Sequence, residues 1–276
     1  MHPYIHISRP LTSLMIGLAV FTSSLIGVGQ NIDAYMLPVF LGVMIASLFG
    51  MAGNAINDYF DQKTDKINHP DRPIPSGELT PRQALNFSML FFILSLLLST
   101  FLGFIIGFEA LLICIIALAF QIAYEKKFKK KKIIGNIIIG AQTALAFIFG
   151  GILVGKTVIT GIFAVAVFLA IVGREIVKDI EDIKGDAGKT TLPIKIGTKN
   201  AGIVAVLFIS LSVLISPLPY YPLHIFGLEY LLVVLIADIL FIGSTPVIFR
   251  DAMLARRMLK FAMLIAIMAF ITGAMF

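Results

Sequence analysis

Apolar residues fill this chain in long runs, and short polar segments between them carry nearly all of its charge. A helix needs roughly 20 apolar residues to cross the ~30 Å hydrocarbon layer of a bilayer. Runs of about that length recur nine times, at about 11–30, 34–56, 84–106, 108–125, 134–154, 158–178, 200–217, 225–247 and 257–275. The pattern predicts an all-α polytopic membrane protein with nine transmembrane helices. The first run lacks a small-residue cleavage site and is followed by further spans, so it reads as a retained helix and not a signal peptide. Composition agrees: 58% hydrophobic residues, 14% charged and a mean hydropathy of +0.96 lie far outside the soluble globular range. The single Cys114 falls within a span and can form no intramolecular disulfide.

Charge adds a direction. Arg9, the 63–82 loop, the run "KKFKKKK" at 126–132, the 184–199 loop and the cluster Arg250, Arg256, Arg257 and Lys260 all fall on one side of the predicted bundle, and only Lys156 falls on the other. Cytoplasmic loops retain positive charge. The chain is therefore expected in the cytoplasmic membrane as a multi-pass protein, with its N-terminus and the basic loops inside and its C-terminus outside. The net charge of +6 is then a topology signal. Nucleic-acid binding would need a basic domain outside the membrane, and no loop is long enough to be one.

The acids are placed less evenly. "NDYFDQKTD" (57–65) follows the second span directly, and with Asn57 at 0° a helix puts Asp61, Asp65 and Asp58 at about 40°, 80° and 100°. Such a face repels itself unless cations hold it. A second segment, "KDIEDIKGD" (178–186), follows the sixth span with the same spacing: Asp58, Asp61 and Asp65 map onto Asp179, Asp182 and Asp186 at a constant offset of 121 residues. Asn57 maps onto Lys178, Asn54 onto Glu175, and "PIPSG" (73–77) is echoed by "PIKIG" (193–197). The repeat predicts one transmembrane domain over residues 1–276 made of two parallel four-helix halves, about 10–130 and 131–250, plus a ninth helix at about 257–275. The two acidic arcs are expected to face one another across the bundle.

Six Asp at one cavity mouth would have strongly raised pKa values or would need divalent cations to stay ionised. Hard carboxylate oxygens suit Mg²⁺, which binds through one or two carboxylates plus substrate phosphates. Arg174, one turn deeper than Lys178 and Asp182 on the same helix, sits where an unpaired charge is expensive. With Arg72 of "DRPIPSG" it is expected to clamp phosphoryl oxygens. Most of "KKFKKKK" reads as a topology and headgroup element.

These residues resemble the UbiA superfamily of intramembrane prenyltransferases, whose signatures NDxxDxxxD and DxxDxxxD are matched by "NDYFDQKTD" and "DIEDIKGD". "NHPDRPIPSG", "REIVKDIEDIKGD" and "TLPIKIG" look most like the archaeal branch that makes the second ether bond of archaeal lipids. The resemblance covers the whole chain. It implies transfer of a geranylgeranyl group from its diphosphate to the hydroxyl of geranylgeranylglyceryl phosphate, with Mg²⁺ as cofactor. It implies that Asn57, Asp61, Asp65, Asp182 and Asp186 hold Mg²⁺ and diphosphate, with Asp58 and Asp179 alongside. Tyr124 matches the family's Tyr-and-Lys element, and Lys129 is expected as its lysine although Lys126, Lys127 and Lys130 leave the register open. Asn136, Arg9, Asn54, Arg72, Arg174 and Lys178 complete the expected substrate contacts.

The partners implied are a prenyl diphosphate donor, a lipid-phosphate acceptor and membrane lipid. No feature calls for nucleic acid or an obligatory protein partner. The four His are scattered and no Ser-His-Asp or Cys-His constellation exists, which fits a reaction driven by leaving-group stabilisation and no protein nucleophile. Two rivals stand beside this reading: a prenyltransferase with an aromatic or tetrapyrrole acceptor, and a transporter with duplicated acidic gates, for which Asp238 is the only acid deep in a span.

Overall fold

The computed structural model describes residues 2–129, 131–184 and 190–276. Its secondary structure is helical throughout, as the sequence predicts. Three short turns of helix aside, the elements among the described residues are α1 (Pro3–Ser8), α2 (Pro10–Val28), α3 (Met36–Asn68), α4 (Pro81–Ile106), α5 (Glu109–Ala123), α6 (Lys132–Leu153), α7 (Thr157–Glu181), α8 (Leu192–Ile196), α9 (Thr198–Ile215), α10 (Leu228–Val247) and α11 (Ala252–Met275).

Among the described residues, seven helical stretches are long and apolar enough to cross a membrane. The first of them, residues 3–67, contains both α2 and α3 joined by a 3-10 turn at Gly29–Tyr35. The fourth predicted run is not among the seven: α5 has 15 residues and then continues as a π-helical turn at Tyr124–Phe128. In each stretch only 28–39% of the most apolar window is buried. The remaining apolar surface, Leu11, Phe40, Leu97, Phe104 and Ile239 among it, faces outward as a lipid-facing belt requires.

Sequence sets where helices stop and how closely they pack. Thr80 opens α4 with a capping box in which its hydroxyl accepts from the Gln83 N–H and Gln83 Oε1 accepts in return. Gly107, at φ +107°, ends the helix in a conformation open to glycine. Small residues bring α2 against α6: a Cβ on Gly150 would lie 2.5 Å from the Val20 carbonyl oxygen, and Ser24 Oγ donates to the Gly150 carbonyl at 3.0 Å. Hydroxyl-to-carbonyl bonds between helices are the usual glue of membrane bundles.

The buried apolar residues form one group around Val20, Val39, Leu102 and Phe149 and another around Val172, Ile176, Ile209 and Leu259. Leu25, Phe147, Phe163, Tyr230 and Phe270 form a third group between them. With 33 residues, α3 extends about 50 Å, well beyond the hydrocarbon layer. Its last turns carry the first acidic segment clear of the apolar core.

Candidate functional site

The first acidic arc is a continuous helical face, because α3 runs unbroken through Asn68. Asp58 and Asp65 are buried. Burial at charge is tolerable only with partners, and two arginines supply them. Arg9 pairs with Asp58. Arg72 reaches Asp65 at 2.7 Å and Asp58 at 3.4 Å.

A small apolar cluster aims both guanidinium groups. Ile74 and Leu79 of the loop after α3 pack with Ile7 of α1, Ala55 of α3 and Ala84 of α4, which folds the "PIPSG" loop back over the acids. Arg9 sits at the joint between α1 and α2 in a left-handed conformation, φ +44°, unusual for a residue other than glycine. Asn54 braces that joint by donating to the Ser8 carbonyl and to Ser13 Oγ, both at 3.1 Å. Its amide thus serves the position of Arg9, one turn away from the acids.

Lys130 lies outside the described residues; of the described lysines in the run, Lys129 is the one placed at the acids. Its Nζ lies 2.6 Å from Asp61 Oδ2 and 2.9 Å from Glu125 Oε2, and 5.8 Å from the centre of the Tyr124 ring. Lys126, Lys127 and Lys131 are exposed. The π turn places it there: the Lys129 N–H bonds the Tyr124 carbonyl five residues back at 2.8 Å, so the helix gains a residue and its face rotates.

Glu125 is a candidate site residue that the sequence pattern did not single out. It is buried, and it accepts from the Asn57 amide at 2.8 Å as well as from Lys129. An acid four residues before a lysine on a helix was the available signal.

The second arc is arranged differently. Asp179 accepts from the Asn136 amide at 2.8 Å, a pairing that the sequence pattern does not indicate. Lys178 lies 3.8 Å from Glu175, and Arg174 pairs with Glu175 as well. Helix α7 ends at Glu181, and Asp182 begins a 3-10 turn where it is exposed. The second arc therefore does not continue on one helical face as the first does. Asp186 lies outside the described residues. Asp61 and Glu125, and from the far side of the sequence Glu175 and Asp179, lie close enough to the Tyr124 phenol to act on it electrostatically.

Behind the acids lies a cavity of about 670 Å³, almost wholly apolar, between α2, α6, α7, α9, α10 and α11. Its size is that of an ordinary ligand pocket. Arg174 lines it, which puts that guanidinium at the cavity wall and not among the α3 acids.

Among the described residues no three His, Cys, Asp or Glu side chains converge tightly enough to hold a metal alone. The donor set still suits Mg²⁺. That ion asks for one or two carboxylates and completes its shell with water and phosphate oxygens.

The chain belongs to the UbiA prenyltransferase family, whose pattern it matches over residues 15–270. Among its relatives is a protein of Methanosphaera stadtmanae called digeranylgeranylglyceryl phosphate synthase, 37% identical with all of both chains covered. A protein of the same name from Methanocaldococcus jannaschii is 41% identical over 90% of this chain and 88% of its own. A solved structure concerned with digeranylgeranylglyceryl phosphate synthase in membranes is 38% identical and superposes with a TM-score of 0.87 over 99% of this chain and 97% of its own. An Archaeoglobus fulgidus UbiA homolog solved with GPP and Mg²⁺ shares the fold, at 18% identity and a TM-score of 0.65 over 98% of each chain.

Proposed function

We propose that this protein transfers a geranylgeranyl group from geranylgeranyl diphosphate to the free hydroxyl of geranylgeranylglyceryl phosphate, releasing diphosphate and forming the second ether bond of an archaeal membrane lipid. The observation that carries the reading is the set of cations held at the acids of α3, Arg9 at Asp58, Arg72 at Asp65 and Lys129 at Asp61, in a chain alike over its full length to synthases of that name. The same proposal takes nine spans, counting α2 and α3 separately and including α5, in two four-helix halves with α11 added. It places the acidic end on the cytoplasmic side, where the one-sided Lys and Arg belong.

Asp58, Asp61 and Asp65 on one segment, and Asp179, Asp182 and Asp186 on the other, would hold Mg²⁺ beside Asn57 and the donor's diphosphate. Bound there, the ion neutralises charge that grows on the diphosphate as the allylic C–O bond breaks. The chain's own cations work in the same direction. Lys129 has three N–H donors and spends two on Asp61 and Glu125, leaving one for a phosphoryl oxygen. Arg72 and Arg9 are held at the same acids and present their remaining N–H groups to the diphosphate.

Contacts that strengthen as the leaving group gains charge lower the barrier, because they are weaker in the ground state. The electron pair of the broken bond leaves with the diphosphate. The acceptor oxygen then bonds the allylic carbon and its proton is released. The apolar walls keep water away from the cation meanwhile. Purified protein given labelled geranylgeranyl diphosphate, Mg²⁺ and geranylgeranylglyceryl phosphate should yield a doubly alkylated glyceryl phosphate; absence of that product under conditions where the protein stays folded would overturn the reading.

A further inference from the structure

The cavity has a charged end. On α7 its wall is a helical stripe, Phe163, Ala166, Ala170 and Arg174, and on α11 it is Lys260, Met263, Ile267 and Phe270. The stripes run about 16 Å and about 15 Å along their helices. The two helices are antiparallel neighbours, and Arg256 Nη2 donates to Glu181 Oε1 at 3.0 Å, so the C-terminal end of α7 meets the N-terminal end of α11. Arg174, two turns back from Glu181, and Lys260, one turn on from Arg256, therefore stand at the same end of the slot.

At the other end the walls close on aromatic rings, with Phe163 and Phe270 edge to face at 5.0 Å and Phe270 stacked on Tyr230 at 6.3 Å. A slot that is apolar along most of its length, with Asp238 of α10 in its wall, lined by aromatic rings at one end and bicationic at the other fits a single-chain amphiphile with an anionic headgroup.

We infer that Lys260 and Arg174 bind the phosphate monoester of the lipid acceptor, with its isoprenoid chain in the slot. The inference rests on the proposed transfer reaction, and it adds the acceptor's binding site. The donor already has its cations, because Arg9, Arg72 and Lys129 are all held at the α3 acids. Arg174 makes its ion pair with Glu175, and Lys260 has no hydrogen-bond or ion-pair partner among the described residues. Two anionic headgroups brought together in a low-dielectric site repel unless each has its own counter-charge. Lys260 and Arg174, at the cavity wall, supply the second set. Arg174 uses one of its five N–H donors on Glu175, and the rest can fork onto a phosphate. An interfacial lysine whose stem merely covers apolar surface while its head reaches water would look similar but would not choose between substrates.

The test compares full-length wild type, Lys260→Gln and Lys260→Arg in detergent or nanodiscs. Lys260→Gln should raise KM for geranylgeranylglyceryl phosphate roughly ten- to hundredfold, with KM for geranylgeranyl diphosphate changed less than about twofold. Lys260→Arg should retain most of the wild-type affinity, and Arg174→Gln should move the acceptor's KM in the same direction. Equal or larger loss for the donor would assign the slot to the donor and overturn the inference. No change in either KM would make Lys260 an interfacial lysine and overturn it too. A binding experiment without donor separates this from the reaction itself: wild type should prefer the phosphorylated lipid to its dephosphorylated alcohol, and Lys260→Gln should lose that preference. An unchanged preference overturns the assignment whatever the acceptor of the reaction is, whereas wild-type turnover of a different acceptor overturns the reaction.

Discussion

Lys129→Met is the perturbation whose size the structure defines best. Its ammonium sits between Asp61 and Glu125. The Glu125 side chain is 0% exposed, against 22% for Asp61. Removing the cation leaves Asp61 to water at little cost, but strands the Glu125 carboxylate with only the amides of Asn57 and Gln121. Stranding one member of a buried pair costs about 3–5 kcal/mol. The two amides and the partly open Lys129 place the expected loss at the lower end, about 3 kcal/mol.

Glu125→Gln alone should cost about 1.5–3 kcal/mol, since Lys129 keeps Asp61 and a charge-assisted bond is lost. In the double variant no stranded charge remains, so its loss should fall short of the sum of the singles by at least about 1.5 kcal/mol. Reversible denaturant unfolding in detergent micelles gives the cycle, with Lys126→Gln, an exposed neighbour in the same run, as the control that should change nothing. Singles that add within about 0.5 kcal/mol, or a Lys126 variant as damaged as the Lys129 one, would refute both the pairing and the π-turn register.

Asp61→Asn and Asp182→Asn should each lower kcat by orders of magnitude while the protein still elutes as a folded species in detergent; near-normal turnover in either would remove that segment from the site. Gly150→Leu should destabilise the bundle by about 1–3 kcal/mol, because its Cβ would meet the Val20 carbonyl at 2.5 Å, and thermal unfolding that matches wild type would contradict the close α2–α6 approach. With Cys114 buried, His69→Cys should resist impermeant thiol reagents in intact cells and Tyr221→Cys should react; the opposite result would invert the proposed orientation.

Helices were the easiest feature to read from the sequence, because each lipid-crossing segment must satisfy its own backbone and so must be long and apolar. The least regular part of that reading was 108–125, where the chain switches from α5 to a π turn that no hydropathy count shows. The same turn hid the register of the lysine run, since a face counted at 3.6 residues per turn is wrong by one residue beyond it. The acids of α3 were legible by spacing because their helix is unbroken. Those after α7 were legible as a repeat, but Asp182 sits past the last helical turn, where spacing no longer fixes a direction.

Glu125 was masked by the lysines around it. Arg174 was legible as a deep, costly charge, whereas Lys260 carried a charge that topology alone explains, and only the cavity wall shared by α7 and α11 brings the two to one end. Asp238 reads as a tie within the bundle: it accepts from Ser216 Oγ at 2.5 Å, linking α10 to the end of α9. That local pairing removes the main support for a transport reading.

The central claim is the identity of the acceptor, and a competition decides it most directly. Purified protein is given labelled geranylgeranyl diphosphate and Mg²⁺ with equimolar geranylgeranylglyceryl phosphate and a hydroxylated aromatic acid, and the label is followed into products. The account predicts that nearly all of it enters a glyceryl phosphate carrying two ether-linked chains; label accumulating on the aromatic ring instead would contradict it.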